Sequence, residues 1–192
     1  MRDTGGMRAA LAPLLLLVPA LAPAQALVAS GGCREGRING AYEVRTGDGR
    51  VRVSGAFARG RRTGTFLFWS SAGTRVAAIP YDDDARAGTV ALWYAPAGGN
   101  REPQRKLEAN YADDALHGPK RSWYPNGNPR AEFRYERGQL VEARAWAEAG
   151  APLPEAEARA IAEHDLALDA EFQATLERIV AENRPACGNS GR

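Results

Sequence analysis

The fold of this chain is decided by the segment 117–138, which has the sequence HGPKRSWYPNGNPRAEFRYERG. Two runs with the length of short strands, 120–124 and 130–135, flank the sequence Pro-Asn-Gly-Asn. Asn-Gly between two such runs is the strongest short-range signal for a β-hairpin, because both residues tolerate positive φ. The segment therefore predicts two antiparallel strands joined by a tight turn at Gly127.

The same pattern recurs along the chain at intervals of 24, 24 and 30 residues. We number the positions of each unit from its first glycine and call this number the phase. Phase zero is therefore the glycine that begins each unit: Gly40, Gly64, Gly88 and Gly118. Phase five is tryptophan in every unit after the first, including a partial fifth unit: Trp69, Trp93, Trp123 and Trp146. Phase seventeen is aromatic throughout: Phe57, Tyr81, Tyr111 and Tyr135. Arg45 takes the tryptophan position in the first unit, and the third unit carries six extra residues near 98–103. Such self-similarity indicates a repeat protein.

A single hairpin cannot bury its own apolar face, so consecutive units must stack. We expect the tryptophans of phase five and the aromatic residues of phase seventeen to form one continuous buried column. Each ring would remove about 150–250 Å² of surface from water. A ligand-binding aromatic platform is the alternative. The phase-zero glycines are expected to turn the chain into the next hairpin, where a side chain would clash.

The sequence changes character at residue 154, where Ala, Glu and Leu begin to dominate and apolar residues recur at helical spacing. We predict a C-terminal α-helix over 154–184, either continuous or broken near Asp165, followed by a tail at 185–192. Residues 27–153 hold 19 Lys/Arg against 14 Asp/Glu, whereas 154–184 hold 3 against 8. This charge asymmetry favours a helix that folds back and packs against the sheet.

Residues 1–26 have the order of a secretory signal peptide, with a basic start, an apolar stretch and small residues at its end. The apolar stretch is interrupted by prolines and is shorter than the roughly 20 residues of a membrane span. We therefore expect a periplasmic or secreted protein in which a lead-in, 27–38, precedes repeats at 39–153. In an oxidising compartment the two cysteines, Cys33 and Cys187, are expected to form a disulfide. Two free thiols and lipid attachment at Cys33 are the alternatives.

The sequence contains no recognisable catalytic or metal-binding motif. It has only two histidines, and it lacks a His/Cys cluster with metal-ligand spacing, a phosphate loop and a nucleophile elbow. We predict no catalytic residue, no cofactor and no metal. The near-neutral charge also disfavours a nucleic-acid partner. The acidic runs 82–84 and 113–114 are interpreted as turns rather than a cation site. Arg59, Arg61 and Arg62 form a possible basic binding strip for acidic lipids, glycans or the protein's own tail.

The pattern Gly-x-x-x-x-Trp-Tyr-x-x-Gly, with a later Tyr and Gly, resembles the MORN repeat variant of bacterial proteins of the YwqK antitoxin type. Within this chain 117–138 is the nearest copy, and the resemblance covers about 39–150. It implies an extended antiparallel meander of β-hairpins used as an interaction surface, without shared catalytic residues. We expect an exported, non-catalytic module that binds an unidentified protein partner in the cell envelope. An immunity or antitoxin protein for an exported toxin, or an envelope glycan hydrolase, is the alternative.

Overall fold

The computed structural model describes residues 26–95 and 103–188. Three segments lie outside the described part: residues 1–25 of the signal peptide predicted at 1–26, residues 96–102 of the third unit, and the last four residues. The strands are β1 (Leu27–Arg34), β2 (Arg37–Thr46), β3 (Val51–Ala58), β4 (Arg61–Trp69), β5 (Arg75–Asp82), β6 (Ala85–Arg86), β7 (Gly88–Trp93), β8 (Arg105–Ala112), β9 (Ala115–Trp123), β10 (Pro129–Glu136) and β11 (Gln139–Ala145). One helix, α1 (Glu155–Glu182), follows them without a break.

The strands form one open antiparallel sheet in which neighbours in the chain are neighbours in space. Its order runs from β1 to β11, with the two-residue β6 pairing only with β5. The mainly β meander of hairpins with a C-terminal helix is thus confirmed. Within the described ranges, no helical segment combines the length and the hydropathy that a membrane span requires.

Two-residue turns close the hairpins along one edge of the sheet. Both residues of each turn have positive φ: Glu35 and Gly36, Arg59 and Gly60, Asp83 and Asp84, Asp113 and Asp114, and Arg137 and Gly138. Two consecutive positive φ values are the signature of the type I′ turn, whose twist matches that of the flanking strands. The acidic runs of the sequence are therefore turns, as expected.

Longer turns close the opposite edge. In the fourth unit Gly127 has φ of 90°, and its N–H donates to the carbonyl of Tyr124 at 2.9 Å. The phase-zero glycines differ from expectation, because they lie a few residues beyond the turns, either inside a strand or, for Gly88, at the start of one. Gly64, for example, pairs with Tyr81 in the β4–β5 ladder and has φ of 67°. A side chain at that φ would be strained, so glycine is needed in the strand rather than in the turn.

The apolar core lies on one face of the sheet, beneath α1. Phase seventeen contributes Phe57, Tyr81 and Tyr135, all at most 4% exposed, with Tyr111 partly buried beside them. Phases two and four contribute most of the remaining large side chains: Tyr42, Val44, Phe66, Phe68, Val90 and Leu92. Tyr42, Phe57, Phe66 and Tyr81 contact one another in sequence, with successive ring centroids 5.2–5.5 Å apart. The sequence had not marked phases two and four as core.

Helix α1 runs back across the sheet, held by one polar side chain per helical turn. Each of these bonds a residue from a progressively earlier strand: Asp165 with Arg130, Asp169 with Lys120, Gln173 with Arg86, and Glu177 with Arg62. Near the end of α1, Tyr42 donates from its hydroxyl to the carbonyl of Asn183 at 3.2 Å. Burial raises the pKa of Tyr42 to about 12. The predicted fold-back of the helix is confirmed.

The disulfide between Cys33 and Cys187 closes this arrangement. Their Cα atoms lie 5.6 Å apart although 154 residues separate them in the chain. Cys33 belongs to β1, and Cys187 follows α1 by five residues. The bond therefore fastens the far end of the helix to the first strand, as the sequence led us to expect.

Candidate functional site

Two of the three arginines that the sequence suggested as a basic strip are already paired. Arg62 donates to Asp84 from its backbone N–H and from Nε, both at 2.9 Å, and it also pairs with Glu177 of α1. Its guanidinium stacks 4.0 Å from the ring centre of Tyr81. Arg61 is paired with Asp83 at 2.8 Å, whereas Arg59 is exposed in a turn. Two of the three arginines proposed for binding thus hold neighbouring repeats and the protein's own helix.

A cavity of about 250 Å³ remains beneath α1, but its charges are already paired. It is lined by Arg86, Asp114, Lys120 and Asp169 among others. Arg86 lies 2.7 Å from Asp114, and Lys120 lies 2.7 Å from Asp169. Within the described residues no group of three or more metal-ligating side chains occurs. This cavity therefore presents no unpaired charge to a ligand.

The tryptophans lie on the opposite face. In β4 the side chain of Phe68 is buried under the helix, so its neighbour Trp69 points away from it, because successive residues of a strand face opposite sides. The same holds for Trp93 after Leu92. All four tryptophans are partly buried, and none belongs to the buried core. The expected single column is therefore two layers on opposite faces, with phase seventeen inside and phase five outside.

Tryptophans and their cross-strand neighbours form a ladder across the opposite face, which no described helix covers and which we call the uncovered face. The register pairs Trp69 with Arg75, Trp93 with Arg105, and Trp123 with Pro129. Trp146 follows directly after β11. The guanidinium of Arg75 lies 4.3 Å from the ring centre of Trp93, and that of Arg105 lies 4.8 Å from the same ring, from the strands on either side. Arginines thus occupy the gaps between successive tryptophans.

Among the residues that the structure describes, the last gap of the ladder is open. Phase eleven is Arg75 in the second unit and, allowing for the six extra residues, Arg105 in the third, but it is Pro129 in the fourth. A proline ring is too short to cover the neighbouring indoles. The result is a groove of about 460 Å³, lined by Trp123, Pro129, Trp146 and Gly150, with Arg121 and Glu132 at one end. We call this the tryptophan groove.

A glutamate, Glu132, lies beside the groove, and the third unit has a glutamate at the same phase. Glu108 lies three residues after Arg105 and forms an ion pair with it. Glu132 lies three residues after Pro129, at the same phase, where the guanidinium is missing. Glu132 instead pairs with Arg121 across the strands at 3.0 Å, with both side chains about half exposed. The fourth unit therefore keeps the acidic partner and lacks the arginine.

Hydrogen bonds between units fix the two walls of the groove. The hydroxyl of Tyr94 donates to the carbonyl of Trp123 at 2.8 Å, and that of Tyr124 donates to the carbonyl of Trp146 at 2.8 Å. Burial raises the pKa of Tyr94 above its ordinary value. Trp146 is also held by a bridge to Pro152. These contacts hold the backbone at Trp123 and Trp146, the two residues on either side of the groove.

The sequence had singled out Trp123 and Trp146 but not Pro129, Glu132 or Arg121. The signal for Pro129 was present, since aligning phase eleven shows proline where the two preceding units have arginine. Only the stacking of Arg75 and Arg105 on Trp93 gives that difference a meaning. The chain matches no protein-family model, and no curated protein is significantly similar to it.

Proposed function

We propose that this protein is an exported, non-catalytic binding module of the cell envelope whose uncovered sheet face engages a protein partner. The observation that carries the proposal is the tryptophan groove, the open gap in an otherwise filled ladder. Tryptophan and arginine are the residues most enriched at the energetic centres of protein interfaces. The opposite face is closed by α1, so a partner approaching the sheet meets the uncovered face.

Export is supported by the disulfide and by the pattern of residues 1–26. A bond between Cys33 and Cys187 persists in an oxidising compartment and is rare in the cytosol. The MORN-like pattern also supports an interaction role, because the resemblance implies a sheet used as a surface. A non-catalytic role is proposed because the charged side chains of the cavity beneath α1 are paired with one another.

Site-specific photo-cross-linking in an envelope fraction tests the proposal. A photoreactive residue replaces Arg144, which is exposed on the uncovered face opposite Glu132. The matched control replaces Glu163, which is exposed on α1. We expect a discrete protein adduct from position 144 and none from position 163. Excess unlabelled wild-type protein should suppress the adduct, and excess Trp146→Ala should not. Equal adducts from both positions would contradict the proposal.

A further inference from the structure

We propose, on the basis of the binding function proposed above, that the tryptophan groove receives an arginine side chain of the protein partner. The guanidinium would stack between Trp123 and Trp146 and pair with Glu132. It would take the place that the protein's own arginines hold in the second and third units.

The third unit supplies the template for this contact. Arg105 stacks on Trp93 and forms an ion pair with Glu108, on the same face of the sheet. Glu108 also lies opposite Arg121 in the β8–β9 ladder. One carboxylate thus stands between a stacked guanidinium and a cross-strand arginine. The chain itself shows that this arrangement is compatible with the sheet.

The fourth unit repeats every part of the template except the guanidinium. Trp123 takes the place of Trp93, and Glu132 takes the place of Glu108. Arg144 lies opposite Glu132 in the β10–β11 ladder, as Arg121 lies opposite Glu108 in the β8–β9 ladder. Pro129 leaves about 460 Å³ where the stacked group would be. A carboxylate accepts up to about four hydrogen bonds, so Glu132 can keep Arg121 and bind a second guanidinium.

The chemistry of the groove selects arginine over other side chains. A guanidinium is planar, stacks on aromatic faces and sheds its hydration more readily than an ammonium. Its attraction to an indole strengthens as water is excluded, and tryptophan is the best aromatic partner for a cation. A neutral planar side chain would stack but would form no ion pair with Glu132. We therefore expect arginine to bind best, lysine less well and citrulline least.

The first test uses blocked Gly-Ser peptides that contain a single arginine, lysine or citrulline. NMR of the full oxidised protein follows the indole N–H signals of the tryptophans. We expect the arginine peptide to shift Trp123 and Trp146, with a dissociation constant on the order of millimolar, and to leave Trp69 unshifted. The citrulline peptide should bind several-fold more weakly. Equal shifts by arginine and citrulline, or equal shifts at Trp69, would overturn the proposal.

The second test fills the groove from within. Pro129→Arg restores the residue of the preceding units, so its own guanidinium should stack on the indoles and abolish the peptide shifts, while the melting temperature stays the same or rises. Pro129→Ser leaves the groove open, so the peptide should still shift the indole signals of Trp123 and Trp146. Glu132→Gln should weaken the binding of the arginine peptide several-fold. Glu142→Gln makes the same change on the neighbouring strand and should leave the binding unchanged. Retained binding in folded Pro129→Arg would overturn the proposal.

Failure of this inference can be told apart from failure of the proposed function. If Pro129→Arg keeps the cross-link from position 144, the face binds a partner but the groove is no arginine site. If wild-type protein gives no cross-link from that position, the proposed function itself fails. An adduct with a second copy of this chain would identify the occupant as a self-contact and overturn the inference of a separate partner.

Discussion

Lys120 and Asp169 form an ion pair beneath the helix, with Nζ 2.7 Å from Oδ2 and side chains only 2% and 14% exposed. Asp169 Oδ2 makes no well-directed hydrogen bond there, so the contact is held by charge. Lys120 stands at phase two, where the other units bury Tyr42, Phe66 and Val90. A charged residue thus replaces an apolar one in the core of the fourth unit.

Replacing one member of this pair is expected to lower the free energy of unfolding more than replacing both members. Asp169→Ala leaves a buried ammonium without its counter-charge and should lower the free energy of unfolding by about 3–5 kcal/mol. Replacing both residues with leucine should be about neutral or stabilising, because the position is apolar in the other units. Urea denaturation of Asp169→Ala and of the double-leucine variant measures the two effects against wild type. A double variant as unstable as Asp169→Ala would contradict this expectation.

The disulfide is expected to stabilise the whole molecule rather than its ends alone. Because it closes a loop of 154 residues, the chain-entropy model gives about 5 kcal/mol, which native-state strain can reduce. Cys33→Ser with Cys187→Ser should therefore unfold at a markedly lower urea concentration. Peptide mapping without reductant should recover one cross-linked fragment from wild-type protein. Two free thiols in protein isolated from the envelope would refute the assignment.

Gly55 is expected to tolerate no side chain, because the ring of Phe66 lies over it. A Cβ built at Gly55 would be 2.7 Å from two carbons of that ring. Gly55→Ala should lower the free energy of unfolding by about 1–3 kcal/mol through overpacking. Gly47→Ala is the matched control, since its Cβ would meet nothing closer than 3.9 Å. Thermal melts compare the two, and an equal effect of both changes would show that the close approach is unimportant.

Acid is expected to weaken the contacts between repeats. Burial raises the pKa of Asp84, but the backbone and side-chain hydrogen bonds from Arg62 outweigh it and leave that pKa lowered. Asp114 has a lowered pKa for the same reasons, with Arg86 as donor. A folded pKa below the unfolded value of about 3.9 means that the charged form stabilises the fold above that pH. The stabilisation is lost as the pH falls through the lowered pKa.

Denaturation at a series of pH values from neutral to below about 4 measures this loss. Asp84→Asn combined with Asp114→Asn should be less stable than wild type at neutral pH and should lose less stability in acid. Asp82→Asn is the matched control, because Asp82 lies in the same hairpin region but forms no ion pair among the described residues. An unchanged acid dependence in the double variant would assign the pH effect to other carboxylates.

The strands, the helix and the disulfide could be predicted because each depends on local or pairwise signals. Glycine spacing marks the repeat, apolar spacing marks the helix, and two cysteines leave one pairing. The face on which the tryptophans lie could not be predicted in this way. It depends on which of the two alternating sets of side chains the helix covers. A β-bulge on the partner strand then places Arg75 opposite Trp69 and Arg105 opposite Trp93. No local sequence signal announces that bulge.

The groove exists because the fourth unit has Pro129 at phase eleven, where the second and third units have arginine. Arg75 and Arg105 look like solvated surface residues in the sequence, and only their stacking on Trp93 shows that phase eleven fills a gap. Without that contact, Pro129 is one of 12 prolines and carries no particular meaning. The pairing of Arg62 with Asp84 was missed for a similar reason, because it joins residues from separate hairpins.

The return path of α1 has a consequence for how this protein can change in evolution. Repeat arrays ordinarily gain or lose units freely, because each unit contacts only its neighbours. Here the helix must reach from the last strand to the first. One added hairpin would widen the sheet by about 9.6 Å, and covering that distance needs about six more helical residues. The length of the helix thus limits the number of hairpins in the sheet. A duplication of one unit alone would move Cys187 too far from Cys33 for the disulfide to form.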